Sequence, residues 1–161
     1  MNRVALCAEE IPLPEWGKSL KSFARKVLIR LGRDKWDLSI LLCGDKTISD
    51  LNFRYRGKAE PADVLSFALG DGEEFPGKNR RLTPGDIVIS LDTLKENARR
   101  FGVSEDEELR RLLIHGILHL HGMDHQSNGE AEPMLRLQER ILANLGGERI
   151  LPEAKPDRRN V

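Results

Sequence analysis

Ser104-Glu105-Asp106-Glu107-Glu108-Leu109-Arg110-Arg111-Leu112-Leu113-Ile114-His115-Gly116-Ile117-Leu118-His119-Leu120-His121-Gly122-Met123-Asp124-His125 is the stretch on which the fold turns. Ser104 with Glu107 three residues on is a capping-box pattern, so a helix begins here. It runs to about His121. Leu112, Leu113, Ile117, Leu118 and Leu120 make it a mostly buried helix. Gly122 can take the left-handed conformation that ends a helix and turns the chain back.

The chain has four histidines, and all lie between His115 and His125. His115 and His119 are four residues apart, about 40° around a helix axis, so they share one face. The turn at Gly122 can return His125 to the same point. Three neutral imidazoles with one open position form the catalytic rather than the structural zinc pattern. Left without a ligand, three histidines on a buried helix would be costly polar burial. One zinc ion per chain, held by His115, His119 and His125, is therefore expected, although three imidazoles also suit nickel, copper or iron. His121 lies about 240° from His115 and is not expected to be a ligand. Asp124, beside the third ligand, either orients an imidazole or caps the turn. The spacing equals that of the zinc-protease motif H-E-x-x-H-x-x-G-x-x-H, but Gly116 stands where those proteases carry their general base.

Outward from this segment, Val4–Ala8 reads as a short strand, and Trp16–Leu31 as an amphipathic helix stopped by Gly32. Leu38–Cys43 reads as a buried strand. Asp45 reads as the cap of a helix from Lys46 to about Tyr55. Val64–Phe67 and Ile87–Ile89 read as strands, with a surface loop between Gly70 and Pro84. Leu91–Phe101 and Met134–Leu145 read as helices. The expected fold is α+β: one domain with a small mixed sheet of about four strands covered by helices. The metal site would sit on a central helix and the turn after it. The domain is expected to span residues 1–146, with a flexible polar tail at 147–161.

Length and composition agree. The 161 residues suit one domain, and 39% apolar with 32% charged residues is ordinary for a globular protein. Lys and Arg total 26, as do Asp and Glu, so any nucleic-acid binding must come from a local cluster. No apolar run approaches the roughly 20 residues of a membrane span, and the first residues lack the apolar core of a secretory signal. Cys7 and Cys43 show no C-x-x-C pattern and read as two buried thiols in a reducing cytoplasm.

The local cluster is Asn52-Phe53-Arg54-Tyr55-Arg56-Gly57-Lys58. Its cations suit a helix end. They also suit phosphate contact, with aromatics beside them for base stacking.

Taken together, His115-Gly116-x-Leu118-His119-Leu120-x-Gly122-x-Asp124-His125 resembles the signature of the YbeY family of endoribonucleases. Asn52-Phe53-Arg54-Tyr55-Arg56 followed by Asp63-Val64-Leu65-Ser66-Phe67 is similar to the family's N-x-x-Y-R and T-D-V-L-S-F-P block. Gly85–Ser90 resembles its G-D-I-x-I-S strand, and Met134–Leu142 its last helix. Ala62 and Ala68 depart from the pattern, standing where threonine and proline are usual.

The resemblance implies a cytoplasmic, metal-dependent endoribonuclease that prefers single strands. It would act in maturation of the small-subunit ribosomal RNA 3′ end and in ribosome quality control. Its partners would be ribosomal RNA and small-subunit components, with no DNA or membrane. Arg56 matches the family's cleft arginine and is expected to clamp the scissile phosphate. Arg54 and Lys58 would make peripheral phosphate contacts. Zinc lowers the pKa of its bound water to about 7, so no carboxylate base is required. Two other readings compete: a zinc peptidase or other zinc hydrolase, supported by the ligand spacing and weakened by Gly116, and a non-catalytic assembly factor with structural zinc, weakened by the open ligand position.

Overall fold

In the computed structural model, residues 1–58, 60, 62–68, 81–125, 127, 129 and 131–153 are described. Four strands and five helices follow in the order β1 (Arg3–Ala8), α1 (Gly17–Arg30), β2 (Trp36–Cys43), α2 (Asp45–Arg56), β3 (Val64–Ala68), β4 (Leu82–Ser90), α3 (Leu91–Phe101), α4 (Glu105–Leu120) and α5 (Pro133–Asn144). The sheet order is β1-β2-β4-β3. β1, β2 and β4 are parallel, and β3 runs antiparallel along β4. The sheet is mixed and the fold is α+β, as the patterning requires.

Alternation along the strands gives the sheet two unlike faces. Ile40, Leu42, Ile87 and Ile89 point to one face and pack with Leu20, Val27 and Leu28 of α1 and with Leu109, Leu113 and Ile117 of α4. Burying each such side chain is worth about 1.5–3 kcal/mol. On the other face, Ile48 of α2 packs with Cys43, Leu65 and Val88, and Leu41, Leu51, Ala62 and Phe67 lie partly buried against them. The remainder of that face has no helix over it among the described residues.

Several boundaries differ from the sequence reading, for physical reasons. β4 starts at Leu82, not Ile87, because Leu82 and Gly85 pair with Trp36 and Leu38 across a bulge. Pro84 is tolerated there, beyond the point where β3 pairing ends. The rest of the expected loop, 70–80, lies outside the described residues. Gly85 has φ +150°, and a Cβ there would meet the Phe67 carbonyl oxygen at 2.1 Å, so only glycine lets β3 lie this close. Asp45 does not cap α2 but is its first residue. The α2 amides are satisfied from elsewhere: Asp45 N–H donates to the Asp92 carboxylate and Thr47 N–H to that of Glu10. Both cysteines are free. Cys43 is buried, which pushes its thiol up to about 12. Cys7 is exposed rather than buried, because β1 is an edge strand and this side chain faces the uncovered side of the sheet.

Of the expected tail, residues 154–161 lie outside the described residues. Ile150 is only 2% exposed, and the backbone N–H groups of Ile150 and Leu151 donate to the Asp106 carboxylate at 2.7 and 2.8 Å. No described helix is long and apolar enough to cross a membrane.

Candidate metal centre

Both ends of α4 are held in place, and this positions its histidines. At the start, Ser104 Oγ accepts from Glu107 N–H, and four acidic residues occupy the first turn, where the helix dipole favours them. Asp106 is buried and also accepts from Arg110 Nε at 2.9 Å. At the other end, Gly122 N–H donates to the His119 carbonyl and Met123 N–H to that of Leu118, both at 3.0 Å. With Gly122 at φ +100°, this is a Schellman motif. It reverses the chain and brings His125 back over the helix face.

The three expected ligands converge. One ring nitrogen from each of His115, His119 and His125 lies within 4.8 Å of the others. His115 Nε2 and His119 Nε2 are 3.0 Å apart. The tautomers of His115 and His125 are set from behind. His115 Nδ1 lies 2.7 Å from Gln138 Oε1 on α5, and His125 Nδ1 lies 2.8 Å from the Ser127 carbonyl oxygen. Each acceptor takes an Nδ1–H, which leaves both Nε2 atoms as bare lone pairs aimed at one point. Ligands about 2.0–2.1 Å from one zinc ion lie a little over 3 Å apart in a tetrahedron, so this donor set fits a cation. Burial holds the pKa of His115 below its ordinary value, against the hydrogen bond that it donates to Gln138. Burial and then His115 do the same for His119. Neutral imidazoles are what a metal requires.

His121 is not brought to this point. Its Nδ1 accepts from Arg33 Nε at 2.9 Å, and the Arg33 guanidinium stacks 4.7 Å from the centroid of the Trp36 ring. It fastens the end of α4 to the strand side of the molecule.

Gly116 packs against the sheet. A Cβ there would come within 2.9 Å of Ile87 Cγ2, so a side chain is excluded by helix–sheet contact. Its carbonyl accepts from Ser66 Oγ at 3.3 Å, tying β3 to the metal helix.

The histidines form one wall of a cavity of about 620 Å³. Arg56, Asp63, Ser66 and Asp124 also line it. Arg56 is exposed at the last residue of α2 and has no hydrogen bond or ion pair among the described residues. One turn earlier, buried Asn52 donates from Nδ2 to the Glu60 carbonyl at 2.9 Å, holding the chain between α2 and β3 beside that arginine. Arg54 and Lys58 are exposed but do not line the cavity. Asp124 Oδ1 accepts from His125 N–H at 2.8 Å, which is the turn-capping role. Its charge also raises the pKa of His119, though less than burial lowers it.

Two contributors were not singled out from sequence. Gln138 gave no signal, because a glutamine within an amphipathic helix reads as surface. Asp63 lies in a quoted motif, yet its carboxylate role depends on the fold: it accepts from Asn97 Nδ2 at 3.2 Å and faces the cavity.

The family model described as Endoribonuclease YbeY matches residues 8–146. The chain is similar to "Endoribonuclease YbeY" of Treponema pallidum (strain Nichols), with 48% identity over 144 residues and 89% of each chain covered. It is similar to the protein of the same description from Persephonella marina, with 42% identity over 146 residues, covering 90% of this chain and 94% of that one. The solution structure of TM1509 from Thermotoga maritima superposes with a TM-score of 0.61 at 26% identity, over 99% of this chain and 100% of that chain.

Proposed function

This chain belongs to the endoribonuclease YbeY family, and from that premise we propose that it is a zinc-dependent endoribonuclease that cleaves single-stranded RNA. The observation that carries this reading is the cavity itself. Three imidazoles converge in it, and an arginine with no hydrogen bond or ion pair among the described residues lines it as well.

His115, His119 and His125 would hold the metal. Such a metal, if zinc, would supply Lewis acidity toward a phosphoryl oxygen and a water of lowered pKa. Arg56 holds the phosphate with its planar fork and offsets the charge developing on it. Gln138 and the Ser127 carbonyl keep two imidazoles in the tautomer that leaves Nε2 free. Asp63, just before β3, lines the cavity and is placed to accept a hydrogen bond from substrate.

The peptidase reading loses support from packing. A side chain at position 116 would start 2.9 Å from Ile87 Cγ2, against the sheet, so a glutamate base there would require Ile87 or α4 to shift. The structural-zinc reading loses support from the cavity, which leaves the converging imidazoles open to a ligand.

We further propose that the natural substrate is the 3′ end of small-subunit ribosomal RNA, that the protein works with small-subunit components in the cytoplasm, and that residues 1–146 carry the hydrolase domain. The deciding experiment incubates zinc-loaded protein with single-stranded RNA and, separately, with casein. RNA fragments that disappear in His115→Ala support the reading. Peptide fragments, or no fragments of either kind, overturn it.

A further inference from the structure

Around the edge of β3 from the histidines, a second depression of about 790 Å³ opens on the sheet face that α2 leaves uncovered. Leu41, Leu51, Tyr55, Phe67, Asp86 and Val88 line it. It shares Arg56, Ser66 and Ala68 with the metal-centre cavity, so the two are continuous across the free edge of β3. The Tyr55 and Phe67 rings meet at 5.1 Å between centroids, tilted by 57°. Tyr55 remains 63% exposed, so a large aromatic face is held in a fixed orientation with solvent on one side. On the floor beneath them, Asp86 is half-buried beside Val88 and Leu41, and its carboxylate has no hydrogen bond or ion pair among the described residues. A carboxylate in such surroundings is normally partnered.

We propose that this groove is a nucleobase subsite: one unpaired guanine stacks on Tyr55 and donates from its Watson–Crick edge to Asp86, while the adjoining phosphate lies under Arg56. The proposal rests on the endoribonuclease reading and specifies which part of the RNA the groove takes. The chemistry selects the occupant. An ionised carboxylate only accepts hydrogen bonds, through two oxygens side by side. Guanine presents N1–H and N2–H side by side. Adenine and cytosine each place a lone pair next to their amino group, and uracil flanks its one N–H with carbonyls. An aliphatic side chain could fill the apolar part of the groove but would leave Asp86 unmatched. A base within a duplex has both faces covered by its neighbours and cannot enter, so the groove also supplies a physical reason for a single-strand preference.

The test uses zinc-loaded, full-length protein and short oligouridylates carrying one central guanosine, adenosine or abasic residue, read by anisotropy for binding and by single-turnover cleavage for position. The guanosine oligonucleotide is expected to bind about 10- to 100-fold more tightly than the abasic one, and to be cut beside the guanosine. Tyr55→Ala should remove most of that difference while leaving the abasic oligonucleotide unaffected. Asp86→Ala should abolish the preference of guanosine over adenosine but keep both ahead of the abasic residue. If unaltered protein binds and cuts the abasic and guanosine oligonucleotides alike, the subsite is refuted while the endoribonuclease reading stands. If no oligonucleotide is cut, that reading falls and the subsite with it.

Discussion

His115 Nδ1 and Gln138 Oε1 lie 2.7 Å apart, joining a proposed metal ligand on α4 to a buried amide on α5. An amide oxygen in that place can only accept, so the imidazole must carry its proton on Nδ1. Partners of this kind typically contribute 10- to 100-fold in metal affinity. Gln138→Leu should weaken zinc binding by about that factor, whereas Gln138→Glu, which keeps the acceptor, should retain it. Competition against a chromophoric chelator measures both. Equal affinity in the leucine variant would show that His115 is oriented by packing alone.

The same geometry separates the histidines. His119→Ala should abolish stoichiometric zinc. His121→Ala should retain it and instead lower the melting temperature, since it removes the acceptor for Arg33. Metal analysis beside thermal melts checks this, and full zinc content in the His119 variant would sink the ligand assignment.

Metal-free protein should lose stability in acid in a defined window. Burial depresses the folded-state pKa of His115, His119 and His121 below the ordinary 6.5. Above pH 6.5 these groups are neutral whether folded or not, and the stability is fully present. As pH falls below 6.5, the unfolded chain takes up protons that the folded chain resists, so stability declines toward the folded values. Urea titrations of metal-free protein between pH 8 and pH 5 should show this slope, and His115→Gln should make it shallower. A flat profile would mean that these rings are better solvated than their positions indicate.

Gly116→Ala should destabilise by about 1–3 kcal/mol, the usual penalty for forcing a methyl into a packed interface against Ile87. Combining it with Ile87→Val, which removes a methyl group from the contact, should recover part of the loss. Chemical denaturation reads both variants, and additive losses would place the strain elsewhere.

Arg56→Lys keeps the charge and loses the fork. If Arg56 stabilises charge that develops in the transition state, single-turnover cleavage should slow by ~10²–10³ with zinc content unchanged. Arg54→Ala and Lys58→Ala, outside the cavity, should only weaken RNA binding and flatten its salt dependence. A lysine variant cutting at the unaltered rate would reduce Arg56 to a general electrostatic role.

What was readable in the linear chain was whatever chemistry repeats locally. Ser104 with Glu107 marked the start of α4, and Gly122 marked its end, because caps are encoded within a few residues of the helix they terminate. The histidine pair was visible because a helix converts a spacing of four into a shared face. Features made by distant segments were not. Gln138 reaches His115 from 23 residues away, and Glu10 and Asp92 satisfy the amides of α2 in place of a local cap. The start of β4 depends on register with β2, and the exposure of Cys7 on how little of the second face α2 covers. Asp86 sits in a recognisable strand motif, but nothing about its neighbours in sequence says that its carboxylate has no hydrogen bond or ion pair among the described residues.

The carboxylate of Asp106 ties the beginning of the metal helix to Ile150 and Leu151. Those two residues lie beyond position 146, where the family match ends. A gene trimmed to the matched region would therefore encode every ligand and still remove the clasp at the root of the helix that presents two of them. Asp106 would be left buried with Arg110 as its remaining partner, at a penalty of about 1–3 kcal/mol. Such a shortened protein would pass any check based on motif content while holding its histidines on a loosened hinge.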